Sequence, residues 1–244
     1  MSQDLLTALA PSVEELRVRK PHGEKALRWF ELGLVLAVAF AGALFNSIFL
    51  LQTGSRSAVP TGNSRWVWMM VEESVALLLL GYVLLRRGKR IADLGLRWSF
   101  GEVVRGILVA VTGYVVYSAG AMLVYLVQRA LLRGAAHPVF GRQVFGHASW
   151  MMLAAMLLNP FFEELIVRAF LMTEVRELTG SATAAVFLSW AVQTSYHLYY
   201  GWAGALGLGF LFLTFSVYYA KTRRATPVIV AHGLFDLLAL LQLR

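Results

Sequence analysis

The chain has no cysteine and little charge: only 15% of its 244 residues are aspartate, glutamate, lysine or arginine. Without cysteine it has no disulfide framework, no thiolate metal site and no cysteine nucleophile. A soluble domain carries about 25% charged and about 45–50% apolar residues, whereas 58% of this chain is hydrophobic. The apolar residues fall in blocks of about 20, the length that crosses a bilayer. The composition therefore predicts an integral membrane domain.

Seven apolar blocks are long enough to be spans, so we predict an all-α fold, a polytopic transmembrane helix bundle. They lie at about 30–51, 66–85, 103–127, 150–172, 181–199, 202–219 and 226–243. Helices are expected because an open strand leaves backbone groups unsatisfied in lipid. The segment 129–147 mixes apolar residues with glycine and proline and is predicted to be interfacial or re-entrant, which allows an eighth span.

The formal net charge of +8 has two interpretations, a nucleic-acid partner or basic loops on one side of a membrane. Fifteen lysines and arginines fall in the N-terminal flank and alternate loops, against six at the opposite ends of the spans. Because cytoplasmic loops are rich in these residues, we predict a cytoplasmic N-terminus, a lipid bilayer around the chain and no nucleic acid. Residues 1–25, which show no cleavable signal peptide, form the cytoplasmic segment, and residues 26–244 form a single membrane domain.

A set of ionisable residues lies in or beside the predicted spans, where insertion of each costs roughly 2.5–3.5 kcal/mol. Its members are Glu163, Glu164, Arg168, His197, His232 and Asp236. Glu164 and Arg168 are four residues apart on one helix, so we predict that they pair. His232 and Asp236 have the same spacing. Two different helices thus each present a polar face that needs partners.

Glu163 is rotated by about 100° from Glu164 on a helix and shares its face with Asn159 instead. Pro160 removes one backbone hydrogen bond, which predicts a kink that opens space beside Glu163. A poorly solvated carboxylate is a stronger base near neutral pH, and facing histidines can hold a metal, position a water or stabilise an oxyanion. Hydrolysis is the chemistry that fits this set.

Two alternatives to a hydrolase stay open: a proton-coupled transporter that uses the same residues as a relay, and a non-catalytic immunity or interaction scaffold. The zinc-protease motif His-Glu-x-x-His and a Gly-x-Ser-x-Gly motif are both absent from the sequence, which disfavours those hydrolase classes. A second acid pair, Glu72 and Glu73, is followed by Leu77 at the position where the first pair has its arginine. We favour a structural or cavity-lining role for that pair over contact with the site.

The ordered elements Glu163-Glu164-x-x-x-Arg168, a histidine in the next helix and His232-x-x-x-Asp236 resemble a known family. It is the CAAX-protease and bacteriocin-processing family, also called Abi-domain proteins or type II CAAX prenyl endopeptidase-like proteases. The resemblance covers about residues 90–240 and includes the stretch Asp93-Leu94-Gly95-Leu96. It implies an intramembrane endopeptidase that acts on a membrane-associated peptide or protein. A bacterial inner-membrane location is expected, since no feature of the sequence indicates a eukaryotic setting.

The resemblance also implies a role for each residue of the set. Glu163 would be the base that activates water, with Glu164 and Arg168 as a supporting pair. His197 would help to hold the water or a metal, and His232 with Asp236 would stabilise the oxyanion. Members are often labelled metalloproteases, so one expectation is a divalent metal such as zinc, with Glu163, His197 and His232 as candidate ligands. The other is a metal-independent glutamate mechanism.

Two positions depart from the usual pattern of the family. Gln193 lies four residues before the histidine, where the family usually has phenylalanine, and we expect it to change the polarity of the pocket. Asp236 ends the third element, where asparagine is more frequent, and an aspartate favours cation binding slightly more. Both departures bear on the substrate more than on the fold.

Overall fold

The computed structural model of the protein describes residues 21–53, 62–132 and 149–241, and the regular structure in these ranges is helical. The helices are α1 (Pro21–Thr53), α2 (Asn63–Arg86), α3 (Phe100–Leu132), α4 (Trp150–Glu163), α5 (Leu171–Thr179), α6 (Ala182–Tyr196), α7 (Gly201–Thr222) and α8 (Ala225–Leu241). A π-helical segment, Glu164–Phe170, joins α4 to α5 in one continuous rod. Short 3-10 turns lie at Ile91–Leu94 and Leu198–Tyr200. The all-α prediction is confirmed.

Five helical stretches are long and apolar enough to cross a membrane. They are Gly23–Gln52, Asn63–Arg86, Phe100–Leu131, Trp150–Thr179 and Leu198–Thr222. The helix of the predicted span 181–199 stops at Tyr196 after 15 residues, which is about 22 Å against a hydrocarbon core of about 30 Å. The last helix is also shorter, with 17 residues. Each predicted span overlaps a helical stretch of its own, but the count of seven spans is not confirmed.

Two predicted segments fall largely outside the described residues. They are the N-terminal segment 1–25, of which only the last residues lie in α1, and the interfacial or re-entrant segment 129–147, of which only the first residues lie in α3. Both stay predictions, and so does the eighth span that the second segment would allow.

Ion pairs join the ends of α1, α2 and α5 at one end of the bundle. Glu31 of α1 pairs with Arg86 and Arg87, which follow one another at the end of α2. Glu174 of α5 pairs with Arg28 and Arg87, with nitrogen–oxygen distances of 2.8 and 2.7 Å. The start of α1 and the ends of α2 and α5 therefore lie together, as the alternation of basic loops predicts. That this end faces the cytoplasm stays a prediction.

The rod formed by α4, the π segment and α5 is the central element of the bundle. Of its most apolar window 56% is buried, against 17% for α1 and for α3. Ile166, Phe170 and Leu171 on this rod are fully buried. Since the outer helices cover the rod on several sides, the polar residues that it carries are removed from lipid.

Three glycines of α3, spaced seven residues apart, bring this helix close to α7 and α8. Gly106 faces Val230 of α8 and Gly120 faces Phe210 of α7, with no room for a Cβ at either position. Gly113 lies between them on the same face. Small residues at such positions let helix backbones approach closely. The contact holds α3 against α8, which carries His232 and Asp236.

Candidate functional site

The central rod changes its hydrogen-bonding pattern at the two adjacent glutamates. Glu163 is the last residue of α4, and Glu164 begins the π segment. Pro160, which has no N–H to donate, lies one turn earlier inside α4. π segments inside α-helices are frequent at functional sites, and all seven residues of this one are buried. The π segment places both glutamates at the centre of the bundle, while the kink at Pro160 and the space beside Glu163 stay predictions.

The carboxylate of Glu163 accepts hydrogen bonds at both oxygens. Asn159 Nδ2 donates to Oε1 at 3.3 Å, while Gln193 Nε2 and the Tyr196 hydroxyl donate to Oε2 at 2.6 and 2.8 Å. One donor comes from the same helix and two come from α6. The side chain is 6% exposed. Donors from two helices therefore fix the orientation of a buried carboxylate, as the shared face with Asn159 had led us to expect in part.

The adjacent Glu164 is fully buried and joins the π segment to α8. Its Oε1 accepts from Nδ1 of His232 at 2.8 Å, and its Oε2 lies 3.3 Å from Nε of Arg168. Arg168 is also fully buried; its Nη2 donates to the backbone oxygen of Phe212 at 3.4 Å, and its guanidinium carbon lies 5.7 Å from the Phe212 ring. The pairing of Glu164 with Arg168 that the helical spacing predicts is confirmed.

His232 lies between two acids, but only one of them bonds to it closely. Nδ1 is engaged by Glu164, whereas Nε2 lies 3.7 Å from Oδ1 of Asp236. That distance is too long for a hydrogen bond, although it places the two groups side by side as their spacing predicts. Nε2 of His232 therefore keeps its capacity to bond another group.

His197 lies immediately after α6, where it caps the helix. Its Nδ1 lies 2.8 Å from the backbone oxygen of Gln193, and because a carbonyl only accepts, Nδ1 carries the hydrogen. In the neutral ring Nε2 is then the acceptor. The rings of Tyr196 and Phe212 flank it, with centroids 4.8 and 4.7 Å away. Both His197 and His232 interact electrostatically with Glu163, so one site contains the three groups.

The candidate metal ligands are engaged by the protein at some of their donor atoms, whereas Nε2 of His197 and Nε2 of His232 stay available. Both oxygens of Glu163 accept hydrogen bonds, and Nδ1 of His197 and of His232 donate to other groups. Within the described ranges, no three histidine, aspartate or glutamate residues are grouped so that they could hold a metal ion. A catalytic zinc site needs three protein ligands at about 2.0–2.3 Å. The described residues do not bring three such ligands together, and the reaction steps rest on the chain's own residues.

Three contacts of the site were not assigned by the sequence motifs. Gln193 was expected only to change the polarity of the pocket and Tyr196 was assigned no role, yet both bond to Glu163. Their spacing of three residues, which puts them on one helix face, was the available indication. Glu73 of α2 accepts from Asn159 Nδ2 at 2.9 Å. Glu73 thus bonds to the neighbour of Glu163, whereas Glu72 is exposed and bonds to Trp68. The structural or cavity-lining role favoured for the pair stays a prediction.

The fold and the site define an all-helical integral membrane protein in which the helices enclose paired carboxylates and histidines. Residues 145–238, less than half of the chain, match the family described as Type II CAAX prenyl endopeptidase Rce1-like. The match confirms the resemblance and indicates protease activity. It includes α4 to α7 and α8 up to Leu238 but not α1 to α3, so it begins later than the expected residue 90. The comparisons with curated proteins and with solved structures give no match.

Proposed function

We propose that this chain is an intramembrane endopeptidase that hydrolyses a peptide bond in a membrane-associated peptide or protein. The observation that carries the proposal is the carboxylate of Glu163, which is buried and held by three donors from two helices. It lies on the family-matched part of the chain, beside two histidines that act on it electrostatically. A buried, oriented carboxylate of this kind is suited to take a proton from water.

In the first step Glu163 removes a proton from a water molecule. Nε2 of His197 accepts a hydrogen bond from the second hydrogen of that water, because Nδ1 of this ring is already the donor to Gln193. The water oxygen forms a bond to the carbonyl carbon of the peptide, and the electron pair of the C=O bond moves onto the carbonyl oxygen. Positioning the water next to the carbonyl supplies much of the rate increase.

In the second step the oxyanion is stabilised and the peptide bond breaks. His232, with hydrogens on both ring nitrogens, donates to Glu164 through Nδ1 and to the oxyanion through Nε2. The electron pair of the oxyanion reforms the C=O bond as the C–N bond breaks, and Glu163 passes its proton to the departing amine nitrogen. The products are one new carboxyl terminus and one new amino terminus. Arg168 keeps Glu164 in place as the partner of His232, and Asp236 supports the other side of the ring.

The same proposal includes the setting of the enzyme. We place residues 1–25 in the cytoplasm and the membrane domain, 26–244, in a bacterial inner membrane, with the protease-like core at about 90–240. The excess of lysine and arginine in the N-terminal flank and alternate loops supports this orientation. The ion-paired end of α1, α2 and α5 would then face the cytoplasm.

Hydrolysis is tested by cleavage in water labelled with oxygen-18. The reconstituted protein is mixed with a library of membrane-anchored peptides, some prenylated and some unmodified, and fragments are analysed by mass spectrometry. We expect new carboxyl termini that each carry one oxygen-18 atom, because one water is consumed per bond. Peptides that stay intact while the vesicles show transport of protons or peptide would contradict the proposal and support a carrier.

Gln193 is expected to affect turnover rather than binding. Gln193→Leu removes one of the three donors to Glu163, and a hydrogen bond to a charged group is worth about 1.5–3 kcal/mol, or about 10- to 100-fold in rate. We expect kcat to fall by that factor with KM within about twofold, measured on the preferred peptide. Phe187→Leu, at an exposed position of the same helix, serves as control. A folded Gln193→Leu variant with wild-type kcat would contradict this role.

A further inference from the structure

Glu73 is a buried acid that reaches the site from outside the family-matched region. It lies on α2, is 2% exposed, and its Oε1 accepts from Nδ2 of Asn159 at 2.9 Å. The same nitrogen donates to Oε1 of Glu163 at 3.3 Å. An amide NH2 has two hydrogens, so Asn159 gives one to each carboxylate. Two acids on different helices thus share one amide.

This sharing decides which end of the amide faces Glu163. A side-chain amide turned by 180° exchanges its oxygen and its nitrogen, and the oxygen would then face two carboxylates with no hydrogen to offer. With Glu73 in place, two acceptors favour the orientation in which the nitrogen points to the site. Without Glu73, only the longer bond to Glu163 holds the amide.

Structural roles do not account for Glu73. A buried carboxyl that serves stability is normally paired with a cation, yet in the described parts of the chain no lysine or arginine pairs with Glu73. Its second oxygen, Oε2, also finds no hydrogen-bond partner among the described residues. The packing of α2 on α4 is provided by an apolar cluster that includes Trp66, Met152 and Met156. Burial of the Glu73 carboxyl therefore costs free energy that no ion pair in the described ranges offsets. Its hydrogen bond goes to Asn159, the side chain that also bonds to Glu163.

We propose that Glu73 is a positioning residue of this site, which acts on Glu163 through the amide of Asn159. The inference rests on the proposed function, because it assigns Glu163 the role of base. It extends the site to α2, so α2 contributes to the reaction as well as to the bundle.

The first test compares three variants of the full chain in the peptide cleavage assay. Glu73→Leu removes the acceptor, and we expect kcat to fall about tenfold or more while KM stays within about twofold. Glu73→Gln retains a carbonyl acceptor and is expected to keep most of the activity. Glu72→Gln, at the exposed neighbouring position, is expected to match wild type. Equal losses in Glu73→Leu and Glu73→Gln, or none in either, would overturn the positioning role.

A double-mutant cycle then tests whether the effect passes through Asn159. If it does, Glu73→Leu should add almost nothing to the loss caused by Asn159→Leu, since coupled residues are not additive. Losses that multiply would show that Glu73 acts by another route and would overturn the inference.

A measurement without activity separates this inference from the proposed function. The chain has three asparagines, Asn46, Asn63 and Asn159, so 15N-asparagine labelling gives three side-chain NH2 signals. We expect Glu73→Leu and Glu163→Gln each to move the signal of Asn159, and Glu72→Gln to leave it unchanged. An unmoved Asn159 signal in Glu73→Leu would overturn the inference whether or not the protein cleaves. If the wild-type protein cleaves no peptide, the proposed function is contradicted. The NH2 signal of Asn159 still shows in that case whether Glu73 contacts Asn159.

Discussion

Glu163→Gln is expected to lower kcat by about 10²–10⁴-fold, the usual contribution of a general base. Glutamine has nearly the same size and shape, so the packing around the buried side chain is kept, but it cannot accept a proton from water. The loss should therefore appear in turnover, with the thermal unfolding temperature close to that of wild type. Fragment formation in a single turnover, followed by mass spectrometry, measures the effect.

Two controls sharpen the result for Glu163. Glu72→Gln makes the same chemical change at an exposed acid of α2 and should cleave at the wild-type rate. Glu163→Asp keeps the carboxyl but withdraws it from Gln193 and Tyr196, so partial activity is expected. A Glu163→Gln variant that cleaves as fast as wild type would remove Glu163 as the base and leave the site without its assigned mechanism.

Arg168→Met is expected to destabilise the fold by about 3–5 kcal/mol, the typical cost of breaking a buried ion pair by removing one partner. Both Arg168 and Glu164 are fully buried, and the nitrogen–oxygen distance between them is 3.3 Å. The substitution leaves the carboxylate of Glu164 without its cation in the centre of the bundle. Unfolding by denaturant in detergent should show the loss, and cleavage should be lost as well.

The paired variant Glu164→Gln with Arg168→Met separates stability from chemistry. Removal of both charges takes away the cost of an unpaired buried ion, so most of the lost stability should return. Activity should not return, because His232 would no longer bond to a carboxylate at Nδ1. A single Arg168→Met variant as stable as wild type would contradict the ion pair, and an active double variant would contradict the supporting role of Glu164.

Contacts between residues one turn apart were predictable from the sequence. Glu164 with Arg168, and His232 beside Asp236, follow from a spacing of four on a helix. Asn159 lies next to Glu163 for the same reason. The helical period sets these distances whatever the rest of the chain does, so a single segment is enough to predict them.

Contacts between helices were not predictable in this way. The bond of Glu164 to His232 joins residues 68 apart, and that of Asn159 to Glu73 joins residues 86 apart. For His232 the resemblance to a family implied a shared site, but for Glu73 no motif indicated its bond to Asn159. Its place on the buried face of α2 with Ala76 and Leu80 indicates burial, not the identity of its partner.

The sequence by itself determined that this chain is an all-α membrane protein, which residues are too costly to leave in lipid, and how they pair along each helix. Composition, length and helical period decide those properties locally. Only the tertiary structure decided that Gln193 and Tyr196 hold Glu163 and that Glu73 bonds to Asn159. Those contacts depend on how each helix is rotated and shifted against its neighbours, which side-chain packing across the whole bundle sets.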